Sequence, residues 1–173
     1  MEGESKGTDA KRNFILQQGF PEPPPGSCPL RFSGLMFQPR VVGSIVLLAL
    51  VLQSPAIFLI LSGVLWWSAL FPRWNPFDAI YNRTFGSRAG AMALGPAPLP
   101  RRFSQGMAAS FMSGIGLLLL FQKGTAALVL EAMLLVALVA LNLGRFCLGS
   151  FVFHLIRGDA GFAVRTLPWK RDA

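Results

Sequence analysis

Cys28, Cys147, His154, Glu131 and Asn142 are the residues of this chain whose types invite a chemical reading. The two cysteines are too few for a disulfide framework and lack metal-site spacing. His154 is the only histidine. A haem held by two histidines of this chain is therefore excluded, which leaves His154 as a single ligand for a pigment or metal. One histidine and two distant cysteines do not assemble a metal site, which needs several ligands in defined geometry. No Ser-His-Asp order, phosphate loop or pair of carboxylates can be built, so no catalytic residue and no cofactor are assigned.

Glu131 is the single acid inside an apolar stretch, and a carboxylate there is costly enough to be a functional hypothesis by default. Asn142 follows eleven residues later, which at 100° per residue returns to nearly the same helix face. Two readings stand side by side: a polar track for an ion or proton, or a partly solvated Glu131 near Lys123 with Asn142 bonding a neighbouring helix. A catalytic Cys147 requires access and a nearby positive charge. Arg145 is close in sequence, but a helix running through Cys147 places it near a C-terminus, where the dipole does not favour negative charge.

The elements that must position these residues are membrane helices. Hydrophobic residues make up 53% of the 173 and charged residues 14%, well below a soluble domain's usual share. Four apolar stretches divide the chain, and the sixteen basic residues alternate between the segments that separate them. Lys6, Lys11, Arg12, Arg31 and Arg40 precede the first stretch. Arg73, Arg83, Arg88, Arg101 and Arg102 lie between the second and third, and Arg145, Arg157, Arg165, Lys170 and Arg171 follow the fourth. The two remaining connections hold only Lys123. Basic residues are retained on the cytoplasmic side. The pattern thus predicts an all-α integral membrane protein, with four crossings in two outward hairpins and both termini cytoplasmic. The net charge of +8 fits anionic headgroups better than nucleic acid, because the basic residues edge apolar runs and do not interleave with stacking aromatics.

The expected crossings are 39–53, 55–71, 104–121 and 125–147, forming a membrane domain over 39–148. The first spans about 22 Å, against a hydrocarbon core of about 30 Å. Ser54 and Pro55 read as a helix start, as do Asn75 and Pro76. The latter opens a short amphipathic helix, 76–86, suited to the headgroup plane, with Phe77, Ile80, Tyr81 and Phe85 on one face and Asp78, Asn82 and Arg83 on others. Residues 89–100 read as an irregular connection. Gly106, Ser110 and Gly114, with Ala140 and Gly144, offer small faces for close helix packing. Residues 1–38 read as a cytoplasmic arm without a cleavable signal, either a disordered lead containing a polyproline run or an arm lying along a partner. Residues 149–173 read as a cytoplasmic interfacial tail.

Three segments carry a family resemblance: FQPR before the first crossing, RRFSQG (Arg101 to Gly106), and LNLGRFCLGS (Leu141 to Ser150). Over about residues 37–157 the chain resembles the bacterial membrane proteins grouped as domain of unknown function 4395. Members commonly end the fourth helix with Cys-Leu-Gly-Cys. Cys147 matches the first cysteine and Ser150 stands in place of the second, so the resemblance implies the fold but not a dithiol chemistry. The leading expectation is a non-catalytic accessory or assembly subunit of a larger membrane complex, of an electron-transfer or light-harvesting kind. A thiol-linked protein built on Cys147, with Cys28 as resolving thiol, and a small transporter using Glu131 and Asn142 are the rivals.

Overall fold

The computed structural model describes residues 2–24, 26–86 and 93–170. Arg88, Arg171, Pro25 and the start of the 89–100 connection lie outside them. The described residues form helices and connections, with no strand among them. In order these are α1 (Glu2–Gln17), α2 (Cys28–Leu35), α3 (Phe37–Leu52), α4 (Pro55–Leu70), a 3-10 turn (Pro72–Trp74), α5 (Pro76–Thr84), α6 (Leu99–Leu120), α7 (Gly124–Asn142), α8 (Leu148–Ile156) and α9 (Ala160–Arg165). Three runs are long and apolar enough to cross a membrane: Cys28–Leu52, Leu99–Leu120 and Gly124–Asn142. The apolar α4 has 16 residues, about 24 Å at the α-helical rise.

The first of these runs begins well before Pro39, where the sequence suggested a start. Met36 keeps helical angles (φ −80°, ψ −8°), so α2 runs almost directly into α3. Pro39 lacks the N–H that would bond the Leu35 carbonyl, and this costs the ladder one bond without ending the helix. At the other end of the chain the fourth apolar helix is shorter than expected. α7 stops at Asn142, Arg145 takes a left-handed φ of 53°, and a new helix starts after Cys147. Gly144 marks the stop: a Cβ there would stand 2.6 Å from the Ala140 carbonyl oxygen.

The main core comes from i, i+3, i+4 stripes. Val42, Val46 and Ala49 of α3 meet Phe58, Leu61 and Leu65 of α4, Ala109, Met112 and Ile115 of α6, and Leu134 of α7. Between apolar helices in lipid, such contacts act through close packing and dispersion more than through exclusion of water. The closest approach is not where the small-residue spacing placed it. Ser110 faces outward and bonds the Gly106 carbonyl of its own helix, and Gly106 looks at the edge of Trp66. Gly114 does meet α7, with Leu130 Cδ1 at 3.1 Å from its would-be Cβ. The tightest site on α6 is Gly116, where a Cβ would lie 2.7 Å from Leu59 and 3.3 Å from the Pro55 carbonyl of α4. Ser62 of α4 reinforces this contact by bonding the Ala109 carbonyl at 2.9 Å and pairing with Ser113 at 2.6 Å. Accordingly α6 packs chiefly on α4 rather than on α7. Ala140 and Gly144 do not form a matching face; both belong to the turn that ends α7. Gly116→Leu is expected to lower stability by about 1–3 kcal/mol through overpacking, and Ser110→Leu to stay within about 0.5 kcal/mol of the parent. Thermal unfolding of the two variants in the same detergent measures the difference.

A second core joins the N-terminal arm to the membrane helices. Phe14 and Ile15 of α1 are fully buried with Phe20, Cys28, Phe32, Leu35, Met36, Tyr81, Leu94 and Cys147. The Phe14 and Phe32 rings stack edge to face at 5.3 Å. Full burial of each such side chain is worth about 1.5–3 kcal/mol, which overcomes the polar composition of α1. Over its described residues the arm is largely helical, and its apolar residues Phe14, Ile15 and Phe20 are covered by the chain's own helices. Asn13 extends the tie to the C-terminal tail, donating to the Leu167 and Lys170 carbonyls.

Candidate functional site

The starts of α3, α5 and α6 meet in a buried polar junction. Asn75 caps α5, its Oδ1 accepting from Phe77 N at 3.1 Å, and its amide donates to Asp78 Oδ2 at 2.9 Å. Ser68 at the end of α4 donates to the same Asn75 Oδ1. Asp78 Oδ1 accepts from Arg101 Nη2 at 3.0 Å. That nitrogen also donates to Gln38 Oε1 at 3.0 Å, and Gln105, one turn along α6, donates to the same oxygen at 2.9 Å. Burial pushes the Asp78 carboxyl above its ordinary range, and the Arg101 guanidinium and Asn75 amide pull it back only in part. Asp78 is thus buried with Phe77 and Tyr81, while Ile80 and Phe85 of the expected apolar face are exposed. The ladder of bonds leaves two buried atoms unmatched: Arg101 Nη1 and Gln105 Oε1.

Beside this junction α8 crosses α6 at backbone distance. A Cβ on Gly149 would lie 2.8 Å from Ser104 Cα, so only glycine admits the crossing. The contact carries Cys147 and Ser150 to Ser104, with Cys147 Sγ 3.4 Å and Ser150 Oγ 2.9 Å from its hydroxyl. Cys147 is the N-cap of α8, so it stands at the positive end of a helix and not at the C-terminus of a longer one. Its backbone N–H donates to Gln17 Oε1 at 3.0 Å, and His154 Nε2 donates to the Gln17 carbonyl at 3.1 Å. The end of α1 is thereby fastened to both. Two cavities, of about 80 and 130 Å³, adjoin the thiol and share Ser104, Ala108, Leu138, Leu141 and Cys147 in their walls. Arg101, Gln38 and Gln105 line the smaller one.

The profile of the family described as Domain of unknown function (DUF4395) matches residues 33–157, more than half of the chain. The chain belongs to that family. No curated protein and no solved structure matches it. In this DUF4395 chain the three segments that carry the resemblance converge: Gln38 from FQPR, Arg101, Ser104 and Gln105 from RRFSQG, and Cys147, Gly149 and Ser150 from LNLGRFCLGS.

The remaining candidates lie elsewhere or are engaged. Glu131 is buried at the opposite end of α3, where Gln53 Nε2 donates to both carboxylate oxygens at 3.2–3.3 Å. Its partner is Gln53, held at a left-handed φ of 46° after α3, rather than Lys123. Asn142 bonds the Leu138 carbonyl of its own helix and lines a separate cleft with Arg40 and Ser44. No bond links it to Glu131. Cys28 is a free, buried thiol in the same core as Cys147, with its Sγ 4.0 Å from the Thr8 carbonyl. His154 is packed against Phe153 and Phe162 and bonded to Gln17. Sequence reasoning missed Asp78, Gln38, Arg101 and Gln105 as a unit. The available signal was Arg101 and Gln105 at i, i+4 on the opening turns of a long apolar helix.

Proposed function

We propose that this DUF4395 protein is a non-catalytic accessory subunit of a larger bacterial inner-membrane complex. On this reading it crosses four times in two hairpins, α3–α4 and α6–α7, with both termini in the cytoplasm. The observation that carries it is the outward side of α7. This helix buries only Ala127, Glu131 and Leu134, and leaves Leu128, Val129, Met133, Val136 and Val139 exposed. Meanwhile Gln38, Ser68, Asn75, Asp78, Arg101 and Gln105 bond one another in the buried junction, and Ser150 stands where a second thiol would be and bonds Ser104. Such a helix contributes little to its own fold and offers an apolar face to lipid or to another subunit.

Isolation in mild detergent with a photocrosslinker in place of Val136 tests the role. Capture of a defined membrane partner supports it, and crosslinks to lipid alone on an isolated monomer sink it. Topology has its own readout. Gln122→Cys is expected to label from outside in sealed cells and Thr84→Cys is not; the reverse result would overturn the four-crossing orientation.

A thiol-linked role is the second reading. It is favoured by the place of Cys147 at the N-terminus of α8, beside Arg101 and between two cavities.

A further inference from the structure

The α6 face that bears Arg101 and Gln105 continues as Ala108 and Met112, so one helical stripe runs from polar to apolar along the 80 Å³ cavity. At its polar end Arg101 and Gln105 both donate to Gln38 Oε1. That shared acceptor fixes which way the Gln105 amide points. It leaves a buried donor, Arg101 Nη1, and a buried acceptor, Gln105 Oε1, each unpartnered on side chains that are more than nine-tenths buried. The two residues are one turn apart, about 5–6 Å between Cβ atoms. A hydroxyl is the smallest organic group that accepts from one and donates to the other at once. Charge narrows the choice. Arg101 is already neutralised by Asp78 at 3.0 Å, so a carboxylate or phosphate would enter as an excess buried anion, at a high desolvation cost.

We propose that this cavity holds the hydroxyl head of a neutral, membrane-soluble amphiphile, with its apolar body lying along Ala108 and Met112. The body has further room in the adjoining 130 Å³ cavity, which shares Ala108, Leu138 and Leu141 and adds Phe111 and Met133. A single water offers the same acceptor and donor, but it needs only about 10–15 Å³ of such volume, and the rest of the wall is mostly apolar: Val42, Leu65, Ala108, Met112, Leu138 and Leu141, with Gln18, Ser104 and Cys147 as its polar members. The site is independent of the accessory role and stands or falls without it.

The test uses the full chain in lipid nanodiscs and a long-chain alcohol carrying a photoreactive diazirine. The expected result is saturable labelling on the segments around Met112 and Leu141. Unlabelled alcohol of the same length competes, and the corresponding carboxylate, at a pH where it is ionised, does not. Gln105→Leu, which removes the acceptor, and Ala108→Phe, which fills the space, are each expected to weaken labelling about tenfold or more. The competition arms need no variant, so they decide the matter even if a substitution unfolds the protein. Equal competition by the carboxylate overturns the proposal. So does non-saturable labelling confined to the outward face of α7, or labelling unchanged in folded Ala108→Phe, which leaves a cavity filled by water only.

Discussion

Arg101→Met is expected to destabilise the protein by about 3–5 kcal/mol, the loss typical of breaking a buried ion pair from one side. The guanidinium is almost wholly enclosed, and it is the cation that compensates the buried carboxylate of Asp78. Removing it also leaves Gln38 Oε1 with one fewer donor, and takes away the ring contact with Phe20 at 5.8 Å. Asp78→Leu alone leaves the opposite orphan, a buried guanidinium, and a similar loss is expected. The double variant Arg101→Met, Asp78→Leu leaves neither charge uncompensated and is expected to recover much of the stability, because a buried pair contributes little net energy beyond a hydrophobic replacement.

The pH dependence separates this account from simple loss of packing. Asp78 has a folded pKa above 3.8 because burial outweighs Arg101. A carboxyl with a raised folded pKa favours the fold while protonated, and that advantage is lost as pH rises through the raised value. In Arg101→Met the pull of the guanidinium is gone and only the Asn75 amide still draws Asp78 down, so its pKa rises further. The deficit of the variant is therefore expected to be full at neutral pH and to narrow as acid protonates Asp78. Unfolding in detergent across that range checks it; a deficit constant with pH would assign the loss to packing alone.

What was legible in the sequence depended on whether the signal was local. Asn75 and Pro76 announce α5, Ser54 and Pro55 announce α4, and the structure has both helices starting there. Caps act within one turn, so a single chain displays them. The start of the first long helix was misplaced because Pro39 also reads as a start, and only the docking of α1 and Tyr81 on the α2 segment explains why the helix extends back to Cys28. The ion pair between Asp78 and Arg101 spans 23 residues and the hydroxyl pair between Ser104 and Ser150 spans 46, distances at which pattern is silent. The small-residue stripe misled for a related reason. Gly106 and Ser110 have the right spacing, but α4 meets Gly106 only through the edge of Trp66 and comes closest at Gly116.

Gly149→Val is the substitution expected to open the thiol site. Its Cβ would overlap the Ser104 backbone at 2.8 Å, and backbone on a packed helix cannot rotate aside as a side chain tip does. Either α8 lifts from α6 or the protein accepts a strain of about 1–3 kcal/mol. Lifting α8 breaks the Ser104–Ser150 and Ser104–Cys147 contacts and frees Cys147 N–H from Gln17. In the parent chain Cys147 is buried under these contacts, so slow alkylation at neutral pH is expected. In Gly149→Val alkylation of Cys147 is expected to accelerate by about tenfold or more, reflecting a shift of roughly 1.4 kcal/mol or more toward the opened state. Cys28 supplies the internal control. It lies in the same core but on α2, away from the α6–α8 crossing. Equal acceleration at both cysteines would mean that the whole core around Phe14 and Phe32 has loosened. Acceleration confined to Cys147 identifies α8 as a cover over the thiol, held down by the one residue in CLGS that has no side chain.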